Sequence, residues 1–128
     1  MPTLYLLFSH TLTDEQMADA KANLGVENFV PLPADLQQLF SNVPADLPDL
    51  DDYLQPLLDW IGENVFAPDY ILIQGDFGAT YSLVEFCKDF NYGIPVYATT
   101  TRQSVDVRQP DGSVVTQRVF RHQRFREY

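Results

Sequence analysis

The stretch Ile71-Leu72-Ile73-Gln74-Gly75-Asp76-Phe77-Gly78-Ala79-Thr80 constrains the fold of this chain more than any other. An apolar run enters a glycine-punctuated loop, and a helical pattern follows at once. The run reads as a buried strand, with Gln74, Gly75, Asp76 and Thr80 at its carboxyl end. Ligands of open α/β sheets sit at that end. The helix start adds unpaired backbone N–H groups and a partial positive charge, which suit a phosphate. Two glycines let the backbone pass close to a ligand.

The rest of the chain extends the pattern. Leu4-Tyr5-Leu6-Leu7-Phe8 reads as a buried first strand, with Ser9-His10 at its end. Thr13-Asp14-Glu15-Gln16 is a capping-box pattern, and the helix it opens stops at Gly25. Phe29-Val30-Pro31-Leu32 is a short second strand whose proline suggests an edge. Pro33 to Pro48 holds one or two helical turns around Leu36, Leu39 and Phe40. Leu50, Tyr53, Leu54, Leu57, Leu58 and Ile61 then recur at helical spacing, with Asp51, Asp52, Asp59 and Glu63 on the wet side.

Tyr70 to Ile73 is the third strand. A helix over Thr80 to Phe90 ends at Gly93, and Ile94 to Ala98 is a fourth strand finishing at Thr99-Thr100-Thr101-Arg102. Alternating strands and helices imply parallel βαβ crossovers. Ser104–Gln109 and Val114–Phe125 then read as hairpin arms joined at Pro110-Asp111-Gly112-Ser113. The expected architecture is a single α/β, Rossmann-like domain over residues 1–128. Its mostly parallel sheet is flanked by helices (1–101), and a basic hairpin and tail follow (102–128).

Composition narrows the function. A 128-residue chain that is 45% hydrophobic can bury a core. No apolar run approaches the roughly 20 residues a membrane span needs. Met1-Pro2-Thr3 offers no basic start of a secretion signal. Cys87 is the single cysteine, so it reads as a buried small hydrophobe. A cytoplasmic protein is expected.

The net charge of −10 argues against sequence-independent binding of duplex nucleic acid. Charge is uneven, however. Residues 1–101 carry 2 Lys/Arg and 15 Asp/Glu, net −13, whereas residues 102–128 carry 6 Arg and 3 Asp/Glu, net +3. The basic tail can clamp a small anion, or its arginines can pair with acidic surface or a second subunit. Within Arg118-Val119-Phe120-Arg121-His122-Gln123-Arg124-Phe125, strand alternation puts Arg118, Phe120, His122 and Arg124 on one face. Arg121, Gln123 and Phe125 take the other. Arginine and aromatic planes can stack bases, or can pack against the sheet or at a dimer seam.

Three strand ends therefore offer Ser9-His10, Gln74-Gly75-Asp76 with Thr80, and Thr99-Thr100-Thr101-Arg102. Separately these residues are ordinary helix caps and turn formers; together they have the contents of an anion or nucleotide site. His10 can serve as general acid or base. Asp76 can hold a ribose hydroxyl, orient His10 or cap the next helix. Arg102 presents a planar fork to a phosphate. No His/Cys cluster has metal-ligand spacing. The glycines match neither the Walker A nor the dinucleotide pattern, and no Gly-x-Ser-x-Gly elbow marks a serine nucleophile. Neither metal nor cofactor is expected.

Several segments together carry a resemblance. They are Leu6-Leu7-Phe8-Ser9-His10 with Leu12-Thr13, Gln74-Gly75-Asp76-Phe77-Gly78-Ala79-Thr80, Tyr97-Ala98-Thr99-Thr100, and Phe120 to Tyr128. With these the chain resembles the small stand-alone CRISPR-associated proteins of type III systems that have a CARF-like Rossmann fold, among which small members act as ring nucleases. The resemblance implies a homodimer that binds cyclic tetra-adenylate across its two-fold axis and cuts it to linear di-adenylate. The chemistry would be metal-independent attack of a ribose 2′-hydroxyl on its own phosphate.

On this reading His10, Asp76 and Arg102 are the catalytic candidates. Ser9, Gln74, Gly75, Phe77, Gly78, Ala79, Thr80, Thr99, Thr100, Thr101, Arg121 and Arg124 are the ligand-binding candidates. His10 is the acid for the leaving 5′-oxygen, and Asp76 binds or deprotonates the 2′-hydroxyl. Arg102 and the Gly78–Thr80 backbone steady the phosphate. Three other readings compete: a non-cleaving sponge or sensor of the ring, a nucleoside-metabolising enzyme, and an interaction protein whose basic hairpin docks a partner.

Overall fold

The computed structural model describes residues 2–128; Met1, part of the stretch read against a secretion signal, lies outside them. Five strands and four helices follow the order β1 (Thr3–Phe8), α1 (Asp14–Asn23), β2 (Asn28–Pro31), α2 (Ala34–Ser41), α3 (Asp51–Asn64), β3 (Tyr70–Gln74), α4 (Phe77–Phe90), β4 (Ile94–Arg108), β5 (Val114–Glu127). They build one sheet in the order β2-β1-β3-β4-β5. β1, β2, β3 and β4 run parallel, and β5 returns antiparallel to β4. The expected α/β class and C-terminal hairpin are both present. Among the described residues, no helix is long and apolar enough to cross a membrane.

The topology follows from handedness. Each parallel crossover is right-handed, and the chain leaves β1 toward β2 in one direction, then crosses back to β3 in the other. Helices α2, α3 and α4 therefore cover one face of the sheet, through Phe40, Leu54, Leu57, Ile61, Leu83 and Cys87. Helix α1 alone covers the other, where Ala20 meets Leu4, Leu72, Val96 and Phe125. Burial pushes the Cys87 thiol up to about 12, so it packs as an apolar group.

Local chemistry sets the boundaries. The capping box forms as expected: Gln16 N–H donates to Thr13 Oγ1 at 3.1 Å, and Thr13 N–H donates to Gln16 Oε1 at 3.0 Å. β2, which ends at Pro31, is an edge strand, so the missing N–H of proline costs no ladder bond. Helix α4 begins at Phe77, earlier than the periodicity suggests, because Asp76 caps it by accepting from Ala79 N–H at 3.0 Å. It ends with Asn91 in the left-handed region rather than at Gly93.

Strand β4 does not stop at Ala98. It continues to Arg108, paired all the way with β5. At Thr99 the ladder shifts: Thr99 faces Arg124 and Thr100 faces His122, leaving Gln123 as a bulge. The bulge breaks the alternation expected along β5, so His122 and Phe125 share a face with ring centroids 4.9 Å apart.

One close approach joins both sides of the central strands. A Cβ on Gly75 would lie 2.7 Å from the Phe40 ring and 3.4 Å from Ser9 Oγ. Phe40 is fully buried and has nowhere to retreat. Gly75→Ala is expected to destabilise the protein by about 1–3 kcal/mol through overpacking. Adding Phe40→Leu is expected to recover part of that loss, read as urea-unfolding midpoints.

Candidate functional site

The strand order is that of doubly wound sheets whose ligands sit where the connections from adjacent strands diverge. Here that point lies between the carboxyl ends of β1 and β3. Phe8 is in register with Gln74, so Ser9-His10 and Gly75-Asp76 leave the sheet side by side. Two concavities flank the Ser9–Gly75 seam. One, of about 360 Å³, is lined by residues including Ser9, His10, Thr11 and Gln37. The other, of about 250 Å³, is lined by Gln74, Gly75, Phe77, Thr80, Tyr97 and Tyr128.

Hydrogen bonding shows which groups remain free at this crevice. Gln74 Oε1 accepts from Ala98 N–H at 2.8 Å, tying β3 to β4. Thr80 Oγ1 accepts from Gly75 N–H at 3.2 Å. The N–H groups of Ala79 and Thr80 are both taken, by the Asp76 carboxylate and by the Asp76 carbonyl at 2.8 Å. The free donors at the head of α4 are thus those of Phe77 and Gly78, not the Gly78–Thr80 run expected from sequence. The side chain of Ala79 points into the core.

Asp76 acts as the helix cap, and no hydrogen bond links it to His10. The His10 imidazole is exposed and packs edge-on against Phe8, with centroids 5.5 Å apart. Phe77 is 93% exposed, an unusual state for a phenyl ring at the rim of a crevice.

The third strand end does not join this group as expected. Thr99 Oγ1 donates to the Arg124 carbonyl at 3.0 Å and accepts from Arg124 N–H at 3.2 Å. Thr101 Oγ1 accepts from Gln123 Nε2 at 3.0 Å. Both hydroxyls close the bulge, and Thr100 lies exposed beside them. Arg102 stands four residues beyond Ala98, about 13 Å along the strand, with its guanidinium 5.3 Å from the Phe120 ring centroid. Arg121 lies 3.8 Å from Glu15, and Arg124 lines a separate cavity between α1 and β5.

Tyr97 and Tyr128 line the crevice although neither is a candidate from sequence. Tyr128 Oη donates to the Ile73 carbonyl at 2.5 Å, and the two rings lie 4.8 Å apart. Arg126 donates to Tyr97 Oη at 2.9 Å. Burial, then the neighbouring Tyr97, raises the Tyr128 phenol above its ordinary range. In the sequence both tyrosines fall only within the segments that carry the resemblance, Tyr97 to Thr100 and Phe120 to Tyr128. Among the described residues, no three His, Cys, Asp or Glu side chains gather as metal ligands.

A family model for the group described as "Uncharacterized protein MJ1673 family" matches residues 2–126. The chain belongs to that family. A relative from Methanocaldococcus jannaschii, described as "Uncharacterized protein MJ1673", is 50% identical over 128 residues, covering 100% of this chain and 98% of its own. No solved structure matches. Neither description mentions a ligand or a reaction.

Away from the crevice, this family member holds a buried histidine–aspartate hydrogen bond between α1 and β5. His122 Nε2 lies 2.7 Å from Asp19 Oδ2, with the His122 side chain 4% exposed. His122 Nδ1 is buried without a partner. Burial works to raise the Asp19 carboxyl, but hydrogen bonds from Asn23 and His122 outweigh it and hold the group below its usual range. A depressed carboxylate stabilises the fold above its unfolded value, and that stability disappears as pH falls through the folded value. Asp19→Ala leaves both imidazole nitrogens unpaired and is expected to cost about 1–3 kcal/mol at pH 7. The gap to wild type should narrow below about pH 4 in pH-dependent unfolding.

Proposed function

We propose that this protein is a ring nuclease of type III CRISPR defence. It binds cyclic tetra-adenylate as a homodimer and cuts it to linear di-adenylate bearing 2′,3′-cyclic phosphate. The observation that carries the reading is the β1/β3 divergence point. There an exposed imidazole, a carboxylate and two free backbone N–H groups stand beside a bare phenyl ring. The free N–H groups of Phe77 and Gly78 suit phosphate oxygens. The Phe77 ring suits stacking of an adenine, and Tyr97 and Tyr128 form an aromatic wall next to it.

The reaction needs little more than positioning and proton transfer. The ribose 2′-oxygen attacks the adjacent phosphorus as the P–O5′ bond breaks, closing a cyclic phosphate. Asp76, with one carboxylate oxygen occupied by capping, takes the 2′-proton through the other. His10 donates a proton to the departing 5′-oxygen. Holding the nucleophile in line with the leaving oxygen provides much of the rate, and the two N–H donors stabilise charge on the phosphoryl oxygens. Arg102 of the same chain is too far along β4 to share this task. Two such cuts open one ring into two di-adenylates.

The test is incubation of the purified protein with cyclic tetra-adenylate in EDTA, with products resolved by chromatography and mass spectrometry. Linear di-adenylate with a cyclic phosphate end is expected. His10→Ala should slow the cut by at least about 100-fold. Phe77→Ala, at a position that contributes little to the core, should weaken ring binding roughly 5- to 150-fold. An unchanged rate in His10→Ala would remove that residue from the mechanism. Tight binding without product would convert the assignment to a sponge or sensor.

A further inference from the structure

Beyond Thr101 the β4–β5 hairpin leaves the body of the protein. Strand β3 pairs with β4 only from Ile94 to Val96, the last contacts of β5 with α1 are those of His122 and Arg121, and no residue from Arg102 to Phe120 is buried. From Arg102 to Arg108 the arm reaches about 20 Å at roughly 3.3 Å per residue. A two-stranded ribbon alone in water is marginally stable, and its edges carry unpaired backbone groups.

The register sorts its side chains into two faces. Val105, Val107, Val115 and Val119 share one; Arg102, Arg108, Arg118 and Phe120 share the other. Phe120 is 62% exposed under the Arg102 guanidinium. Among the described residues, the side-chain contacts between acids and Arg or His are Arg121–Glu15 and His122–Asp19; Arg102, Arg108 and Arg118 form no ion pair, and Asp106 on their face accepts from Thr116 Oγ1.

A surface of opposite character lies at the same end of the sheet. Leu47, Pro48 and Tyr53 form the apolar lining of a groove of about 460 Å³, and Asp49 and Asp52 complete it. Neither acid meets a cation. The groove adjoins the crevice, since the neighbouring Leu50 side chain sits 3.5 Å from where a Gly78 Cβ would be. The lone aromatic flanked by arginines and the apolar groove flanked by carboxylates are opposite in charge and alike in apolar character, yet among the described residues no ion pair joins them within one copy.

We infer that Phe120, with Arg102 and Arg118, docks into the Leu47–Pro48–Tyr53 groove of a second copy. The guanidinium groups pair with Asp49 and Asp52. The occupant is a second copy because the charge imbalance is internal to the chain: a net of −13 over residues 1–101 faces +3 over residues 102–128. Ribbon base and groove lie at the same end of the sheet, so a two-fold axis satisfies both contacts at once, each copy giving and receiving one ribbon. The inference assigns a surface to the dimer proposed above, and its test needs no ligand.

Sedimentation velocity of the full chain without ligand should give twice the 14.6 kDa chain mass, falling toward monomer as salt is raised. Phe120→Asp should be monomeric, with wild-type circular dichroism because the ring is exposed. Arg102→Glu with Arg118→Glu should also be monomeric, and adding Asp49→Arg and Asp52→Arg to that same chain should restore the dimer. A monomeric wild type, a dimeric Phe120→Asp chain, or a folded charge-swapped chain that stays monomeric would each overturn the inference. Failure to cut the ring in a chain that remains dimeric would count against the catalytic proposal alone.

Discussion

The pairing of β1 with β3 is the constraint on which the rest of this structure depends. Five register pairs join the two strands, from Leu4–Tyr70 to Phe8–Gln74. Leu4, Leu7, Ile71, Leu72 and Ile73 are fully buried. β2 lies to one side and β4 to the other, so the connections leaving β1 and β3 part company and open a crevice at the carboxyl ends. The Phe40–Gly75–Ser9 approach closes its floor. That one contact ties α2 to both central strands, and it explains Gly75 through packing rather than through ligand access.

Charge is segregated along the chain and remains segregated in space. The body is acidic, and its two lysines are engaged: Lys21 sits over the Phe29 ring and Lys88 donates to the Tyr128 carbonyl. The crevice therefore relies on backbone N–H groups and one imidazole. Three of the six arginines, Arg102, Arg108 and Arg118, lie on the outer part of the hairpin, clear of the body. Such a division leaves a monomer with an uncovered apolar and basic arm beside an uncovered acidic groove. The pairing of two copies inferred above would cover both.

Much of the fold was legible from local rules. The Thr13–Gln16 box, Pro31 at an edge, the buried third strand and the turn at Pro110–Ser113 each depend on neighbours a few residues away, and each stands where periodicity and turn chemistry put it. Helix α4 starts earlier than expected because capping by Asp76 outweighs the apolar period as a start signal. Of the candidate residues, Ser9 and His10 line one concavity and Gln74, Gly75, Phe77 and Thr80 line the other, on the two sides of the β1/β3 seam. Thr99, Thr101 and Arg124 instead serve the bulge, whose presence depends on how two strands meet and leaves no mark in either strand alone.

By itself, the sequence determined the element types, the α/β class, the strand ends that bear polar groups, and the division into acidic body and basic tail. These depend on spacing, propensity and composition, which are properties of contiguous segments. Only the tertiary structure decided which donors at the head of α4 stay free and that Arg102 lies away from Asp76. It alone brought Tyr97 and Tyr128 to the crevice and swapped the faces of β5 at Gln123. Each of these depends on register between segments distant in the chain, where a shift of one residue reverses the side to which every following side chain points.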